Sequence, residues 1–121
     1  MEKEVKINTS RRLFFQQYLR VVKPFLKPYL SNGELSVLGE LMYYNDKYKD
    51  LDPAIKKKLL LEYDTKVEIM TNLSISQNTL ANALTKLRQN GYLVDRELIK
   101  SLNITPGKDL TIKFKFDINE R

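Results

Sequence analysis

Residues 73–93, LSISQNTLANALTKLRQNGYL, hold the clearest local folding signal in this chain. Ser76 is of a residue type that caps helix N-termini, and it precedes apolar residues spaced i, i+3, i+4 and i+7. Asn90-Gly91 is typical of a helix that ends in a left-handed conformation. The segment therefore predicts a helix over residues 77–90, whose buried face is formed by Leu80, Ala83, Leu84 and Leu87.

The opposite face of this helix is polar and uncharged at its centre. A rotation of about 100° per residue places amide and hydroxyl side chains opposite Leu80. Asparagine and glutamine pair bidentately with adenine in a DNA major groove, and Lys86 is within reach of phosphate. A solvated helix face with nothing bound is the alternative interpretation. The predicted base-reading residues are Gln77, Asn78, Ala81, Asn82, Thr85 and Gln89.

Three further helices are predicted before this segment. Ser31 and Glu34 have the spacing of a capping box and open an apolar helix over about residues 32–45. Asp52-Pro53 is a cap followed by the proline favoured at a first helical position, and it begins a helix that runs to about Tyr63. A short helix then carries Val67, Met70 and Leu73 inward. Lysines 56–58 occupy consecutive positions and span too wide an arc of the helix to contact one line of phosphates. We therefore interpret this lysine run as a solvated face.

Residues 1–30 form a basic amphipathic segment, with seven lysines and arginines against two acids. Ser10 precedes a series of large apolar residues with helical spacing. One interpretation is a helix that lies across the core, and the other is a dimerisation arm. Because the apolar surface exceeds what one-sided docking requires, we expect a homodimer. The predicted division is therefore a segment 1–30 and a domain 31–121.

The C-terminal part changes to a period of two. In residues 110–118, LTIKFKFDI, apolar and polar side chains alternate strictly, which predicts a strand with one buried face. Pro106-Gly107 is typical of a type II turn, and a preceding strand over residues 98–104 completes a predicted hairpin. The predicted fold class is mainly α with a C-terminal β-hairpin.

This order of elements resembles the winged helix-turn-helix of bacterial and phage regulators and replication initiators. The resemblance rests on Leu73 to Ser76 in the turn and on Thr79 to Leu84, Leu87, Gly91 and Tyr92 after it. Ser74 replaces the glycine usual in the turn, and Asn82 replaces a frequent arginine. The resemblance implies that the fourth helix reads bases and that the hairpin serves as a wing.

Phosphate contacts are expected mainly outside the helix-turn-helix, which is nearly neutral. Lys113 and Lys115 project from one face of the predicted last strand, as a wing along the DNA backbone requires. Solubility and protection of a strand edge would also explain these two lysines. The full predicted phosphate-binding set is Ser76, Lys86, Lys108, Lys113, Lys115, Arg11 and Arg12.

Composition narrows the function classes. The chain has 121 residues, no cysteine and no histidine, which removes thiolate nucleophiles, histidine triads and the usual soft-metal sites. We expect no enzyme activity, no metal and no cofactor. The formal charge of +6 favours a polyanionic partner. No apolar run reaches the roughly 18 residues of a membrane span, so we expect a location in the bacterial cytoplasm. A phage-encoded protein would share this location.

The leading hypothesis is therefore sequence-specific binding of double-stranded DNA, by a transcriptional regulator or a phage or plasmid initiator-like protein. The alternative is a winged-helix module that contacts a partner protein and does not read DNA. Binding that weakens steeply with salt would favour DNA, whereas a mainly apolar protein interface responds little to salt.

Overall fold

The computed structural model describes residue 4, residues 6–107 and residues 111–118. Its described part is mainly helical, with one small antiparallel hairpin near the C-terminus. The helices are α1 (Arg11–Val22), α2 (Asn32–Lys47), α3 (Pro53–Leu60), α4 (Tyr63–Leu73) and α5 (Gln77–Gln89). The strands are β1 (Leu93–Val94) and β2 (Glu97–Leu98), and short 3-10 turns occupy Lys23–Phe25 and Lys100–Leu102.

The central element is α2, which contacts all four other α-helices and β2. The predicted capping box is present: Ser31 Oγ accepts from the Glu34 amide at 3.2 Å, and Glu34 Oε1 accepts from the Ser31 amide at 3.0 Å. Ten of the sixteen residues of α2 are buried. A helix surrounded in this way is apolar on most of its circumference, and its residues 35–42 supply the middle of the core.

The N-terminal helix α1 lies across α2. Phe15 and Leu19 are completely buried in the common core, and the Gln16 side chain donates to the Ser36 carbonyl at 2.8 Å. The approach is close at Gly39, because a β-carbon there would lie 2.5 Å from Gln16 Nε2. The described part of residues 1–30 thus shares one core with the helices α2 to α5.

The hairpin lies earlier in the chain than predicted. Leu93 pairs with Leu98 and Val94 with Glu97, and the two turn residues between them have φ of 52° and 66°. Positive φ at both central positions is the geometry of a type I′ hairpin turn. Both leucines are buried, so the hairpin packs on the core directly after α5. We had placed no strand in residues 93–94.

Of the strand predicted over residues 98–104, only Leu98 lies in a strand, and the prediction of a strand over residues 110–118 was wrong for the described residues 111–118. Residues 100–102 form a 3-10 turn, and residues 111–118 are neither helix nor strand. Alternation alone does not make a strand, because the backbone also needs a partner strand to pair with. Phe114, Phe116 and Ile118 are consequently exposed, and Leu110 lies outside the described residues.

The buried face of α4 also differs from the expected one. Thr65 and Ile69 are buried, Met70 and Leu73 are partly buried, and Val67 is exposed. The Thr65 hydroxyl donates to the Leu59 carbonyl at 2.8 Å, which turns this polar residue toward α3. Val67 was therefore wrongly predicted to point inward.

Among the described residues, no helix combines the length and the apolar character that crossing a membrane demands.

Candidate nucleic-acid interface

The connection between α4 and α5 consists of Ser74, Ile75 and Ser76. Ser74 has φ 53° and ψ 48°, the left-handed conformation that favours glycine. The Ile75 amide donates to the Met70 carbonyl at 3.0 Å, which closes the end of α4 in the manner of a glycine-type helix end. Ser76 Oγ then accepts from the Thr79 amide at 3.1 Å and begins α5. The turn thus holds a serine where the resemblance implies glycine.

The helix α5 has one buried and one exposed face, as predicted. Leu80, Ala83, Leu84 and Leu87 are buried in the common core. The exposed face includes the complete set of predicted base-reading residues: Gln77, Asn78, Ala81, Asn82, Thr85 and Gln89.

Most polar groups on this exposed face are not used within the protein. The Thr85 hydroxyl donates to the Ala81 carbonyl at 3.0 Å. By contrast, the side-chain amides of α5 form no hydrogen bond to any other described residue. The four residues that carry these amides are Gln77, Asn78, Asn82 and Gln89, and we call them the amide ridge.

Two grooves border α5. On one side, Thr79, Asn82 and Lys86 line a cleft of about 430 Å³ against the first turn of α2. On the other side, Gln77 and Ala81 line a smaller groove of about 140 Å³ against α4. A helix bordered by grooves on both sides presents its outer residues to a concave partner surface such as a DNA major groove.

The predicted phosphate-binding residues are scattered. Ser76 and Lys86 are exposed beside the amide ridge. Lys113 and Lys115 are exposed, but they lie outside the hairpin and therefore do not form a wing. Lys108 lies outside the described residues.

Arg11 and Arg12 pair with carboxylates of α2, and Arg11 remains exposed. Arg12 Nη2 donates to Glu40 Oε1 at 2.9 Å, and its guanidinium carbon lies 5.0 Å from the centre of the Tyr43 ring. Arg11 Nη1 lies 3.5 Å from a carboxylate oxygen of Asp46, which is buried and accepts no hydrogen bond. Both arginines therefore balance buried carboxylates of α2, a role that the basic composition of residues 1–30 did not reveal.

A buried polar network connects α1, α2 and α4. Asn72 of α4 donates to Glu40 Oε1 at 3.1 Å, next to the Arg12 contact. Burial raises the pKa of Glu40, and the charge of Arg12 opposes this increase. Burial, together with the carboxylate of Glu68, raises the pKa of Tyr44 to about 12. Because Asn72 is near the end of α4, the network helps to set the position from which α5 begins.

A basic cleft that we had not predicted lies between α3 and the hairpin. Lys56, Lys57, Arg96 and Lys100 line a space of about 140 Å³. Lys57 forms an ion pair with Asp95 in the hairpin turn, which raises the pKa of Lys57 and lowers that of Asp95. The wide arc that the lysine run spans predicts a solvated face. Lys56 and Lys57 line this cleft, whereas Lys58 is exposed.

No known protein family, curated protein or solved structure matches this chain. Its function must therefore be inferred from the geometry of α5 and the charges around it.

Proposed function

We propose that this protein binds double-stranded DNA in a sequence-specific manner, as a winged helix-turn-helix regulator of transcription or an initiator-like protein of a phage or plasmid. A role of this kind would be carried out in the bacterial cytoplasm. The observation that carries the proposal is the amide ridge: four amide side chains on the exposed face of a helix whose other face is buried.

The dimensions of α5 suit a major groove. Its 13 residues extend about 20 Å, and a major groove about 12 Å wide admits a helix. Each unpaired amide offers one donor and one acceptor, the arrangement that reads the N6 and N7 atoms of adenine. Ala81 lies among the amides and has no bulky side chain to prevent close approach.

Phosphate contacts in this proposal come from exposed cations around α5 and the hairpin. Lys86 on α5 is beside the amide ridge. The hairpin follows α5 directly, so it stands in the chain where the resemblance expects a wing. Its turn carries Asp95, whose charge is balanced by Lys57, and the exposed cation Arg96. Arg96 therefore replaces Lys113 as the wing residue that we expect to contact the DNA backbone.

The proposal is tested by selection of bound fragments from a random duplex library, followed by a salt titration on the selected site. We expect an enriched sequence, and an affinity that falls with a log–log slope of about −0.9 for each neutralised phosphate. The absence of any complex with micromolar protein at about 50 mM salt would contradict the proposal. Binding of a partner protein without salt dependence would then favour the protein-contact alternative.

A further inference from the structure

Residues 111–118 expose an apolar face that has no partner among the described residues. Phe116 is 82% exposed and Ile118 is 77% exposed, although both occur in a strictly alternating pattern. Large aromatic and branched side chains at alternate positions are typical of strands with one buried face. The pattern is thus that of a strand, while its pairing partner and its apolar cover are both missing from the described residues of this chain.

The exposed apolar face continues onto the N-terminal part of the protein. The ring of Phe114 lies 5.2 Å from the ring of Phe25, centre to centre, and Phe25 is itself 62% exposed. We call Phe25, Phe114, Phe116 and Ile118 the C-terminal apolar patch. A contiguous exposed patch of this kind marks an interaction surface more often than a free surface.

We propose that the partner is a second copy of this chain, and that residues 114–118 of two copies pair as antiparallel strands with Phe116 opposite Phe116. This register places Lys115 of each copy opposite Asp117 of the other, so two ion pairs form across the two-fold axis. Phe114 of each copy lies opposite Ile118, and the apolar residues of both strands share one face. The inference rests on the C-terminal segment and is independent of DNA binding.

The charged side chains favour this register over the neighbouring registers of the two strands. A shift by one residue would place apolar side chains opposite polar ones, because side chains alternate between the two faces of a strand. A shift that centres the pair on Lys115 places two lysines opposite each other, and one that centres it on Asp117 places two carboxylates opposite each other. Centring on Phe114 brings Lys113 opposite Lys115. The register centred on Lys115 also forms two Lys113–Asp117 pairs, but it keeps two lysines opposite each other at its centre. Like charges directly opposite are unfavourable, so only the Phe116 register combines matched faces and opposite charges with no like pair.

Other candidate partners for the C-terminal segment are less suitable. The two free edges of the chain's own hairpin, Leu93–Val94 and Glu97–Leu98, are each two residues long and too short to pair with residues 114–118. The backbone of a DNA duplex would contact the lysines and leave the phenylalanines exposed. A second copy pairs the backbone and brings the apolar side chains of the two strands beside each other on one face, with the self-complementary contacts that a two-fold interface requires.

Two charge variants test the pairing. Lys115→Asp brings carboxylates opposite each other in the homodimer, and Asp117→Lys brings ammonium groups opposite each other. We expect each variant alone to dimerise about tenfold to a hundredfold more weakly than the wild type, measured by sedimentation equilibrium. An equimolar mixture of the two restores both ion pairs, and we expect a heterodimer by native mass spectrometry. Lys113→Asp is the matched control, because Lys113 lies outside the paired residues 114–118 in this register.

Phe116→Asp provides a second test. Because Phe116 is exposed, the variant should retain the helical circular dichroism and the thermal midpoint of an isolated wild-type subunit while remaining a monomer. Wild-type protein that is monomeric up to submillimolar concentration would overturn the proposal. So would a dimer that tolerates Phe116→Asp, or a mixture of the two charge variants without heterodimer. Protection of the residue 111–118 amides from hydrogen exchange in a monomer would show pairing within the chain and would also overturn it.

Discussion

The guanidinium of Arg12 on α1 lies 2.9 Å from the buried carboxylate of Glu40 on α2, and Asn72 on α4 contacts the same oxygen. A single carboxylate thus joins three helices. One of them, α4, directly precedes α5, the helix that we propose to read DNA. A buried charge is stable only while its partners remain, because its desolvation must be offset by hydrogen bonds and opposite charge.

Replacement of Arg12 by alanine should therefore destabilise the fold. We expect Arg12→Ala to lower the free energy of unfolding by about 2–3 kcal/mol, the range for lost hydrogen bonds to a charged group. Urea denaturation followed by circular dichroism measures this change. Arg20→Ala is the control, since Arg20 is exposed on the same helix and should change the stability by less than about 0.5 kcal/mol. Equal stability of the two variants would contradict the role assigned to Arg12.

The raised pKa of Glu40 predicts a pH dependence of stability. Between the ordinary glutamate pKa of 4.5 and the raised value, the folded protein retains a proton that the unfolded chain has lost. Wild-type stability should therefore fall, relative to Glu40→Gln, as the pH rises through this interval. Unfolding free energies of both proteins at a series of pH values test the sign. A difference that is constant, or that changes in the opposite direction, would show that Arg12 outweighs burial.

The left-handed conformation of Ser74 predicts a stabilising substitution. A non-glycine residue in this region is strained, and Ser74→Gly should raise the free energy of unfolding by up to about 1 kcal/mol. Ser74→Val should act in the opposite direction, because a branched side chain fits this region poorly. Thermal denaturation of both variants measures the effects. If glycine were the more destabilising of the two, the geometry of the α4–α5 turn would be wrong.

Two alanine substitutions distinguish a buried position from an exposed one by their effect on stability. Leu84 is 3% exposed, and Leu84→Ala should cost about 2–5 kcal/mol through the cavity that it leaves. Val67 is 36% exposed, so Val67→Ala should cost less than about 1 kcal/mol. Chemical denaturation of both proteins tests the difference. A larger cost at Val67 would restore the sequence-based assignment of the buried face of α4.

Substitutions on α5 separate base contacts from phosphate contacts. Asn78→Ala and Asn82→Ala should each cost about 1–3 kcal/mol on the selected site and almost nothing on random duplex, since base contacts carry the discrimination. Lys86→Ala should weaken both duplexes to the same extent and reduce the salt slope by about one unit. Fluorescence anisotropy with both duplexes gives these values. Asparagine variants that stay folded and discriminate fully would exclude α5 as the recognition helix.

Some parts of the fold were predictable because neighbouring residues determine them. Ser31 and Glu34 form their capping box within one helical turn, and Ser76 caps α5 in the same local way. The spacing of Leu80, Ala83, Leu84 and Leu87 marks the buried face of α5 without reference to other helices. The exposed positions of Asn78, Asn82 and Gln89 follow from the same period, so the sequence alone predicts that these amides face outward.

Other features depend on contacts between residues distant in the chain. Arg11 and Arg12 were assigned to phosphate, but their partners are carboxylates of α2 that lie 35 and 28 positions away in the chain, a pairing that local patterns do not encode. The basic cleft of Lys56, Lys57, Arg96 and Lys100 exists only after α3 and the hairpin come together.

The sequence by itself determined the helices α2 and α5, their caps and the polar outer face of α5, because backbone hydrogen bonds and helical periodicity act over a few residues. Only the tertiary structure decided where the hairpin forms and which cations remain exposed. Alternation in residues 110–118 defines two faces, but a strand also requires a partner for its backbone. The earlier hairpin is anchored by the burial of Leu93 and Leu98, and this packing is a property of the assembled core.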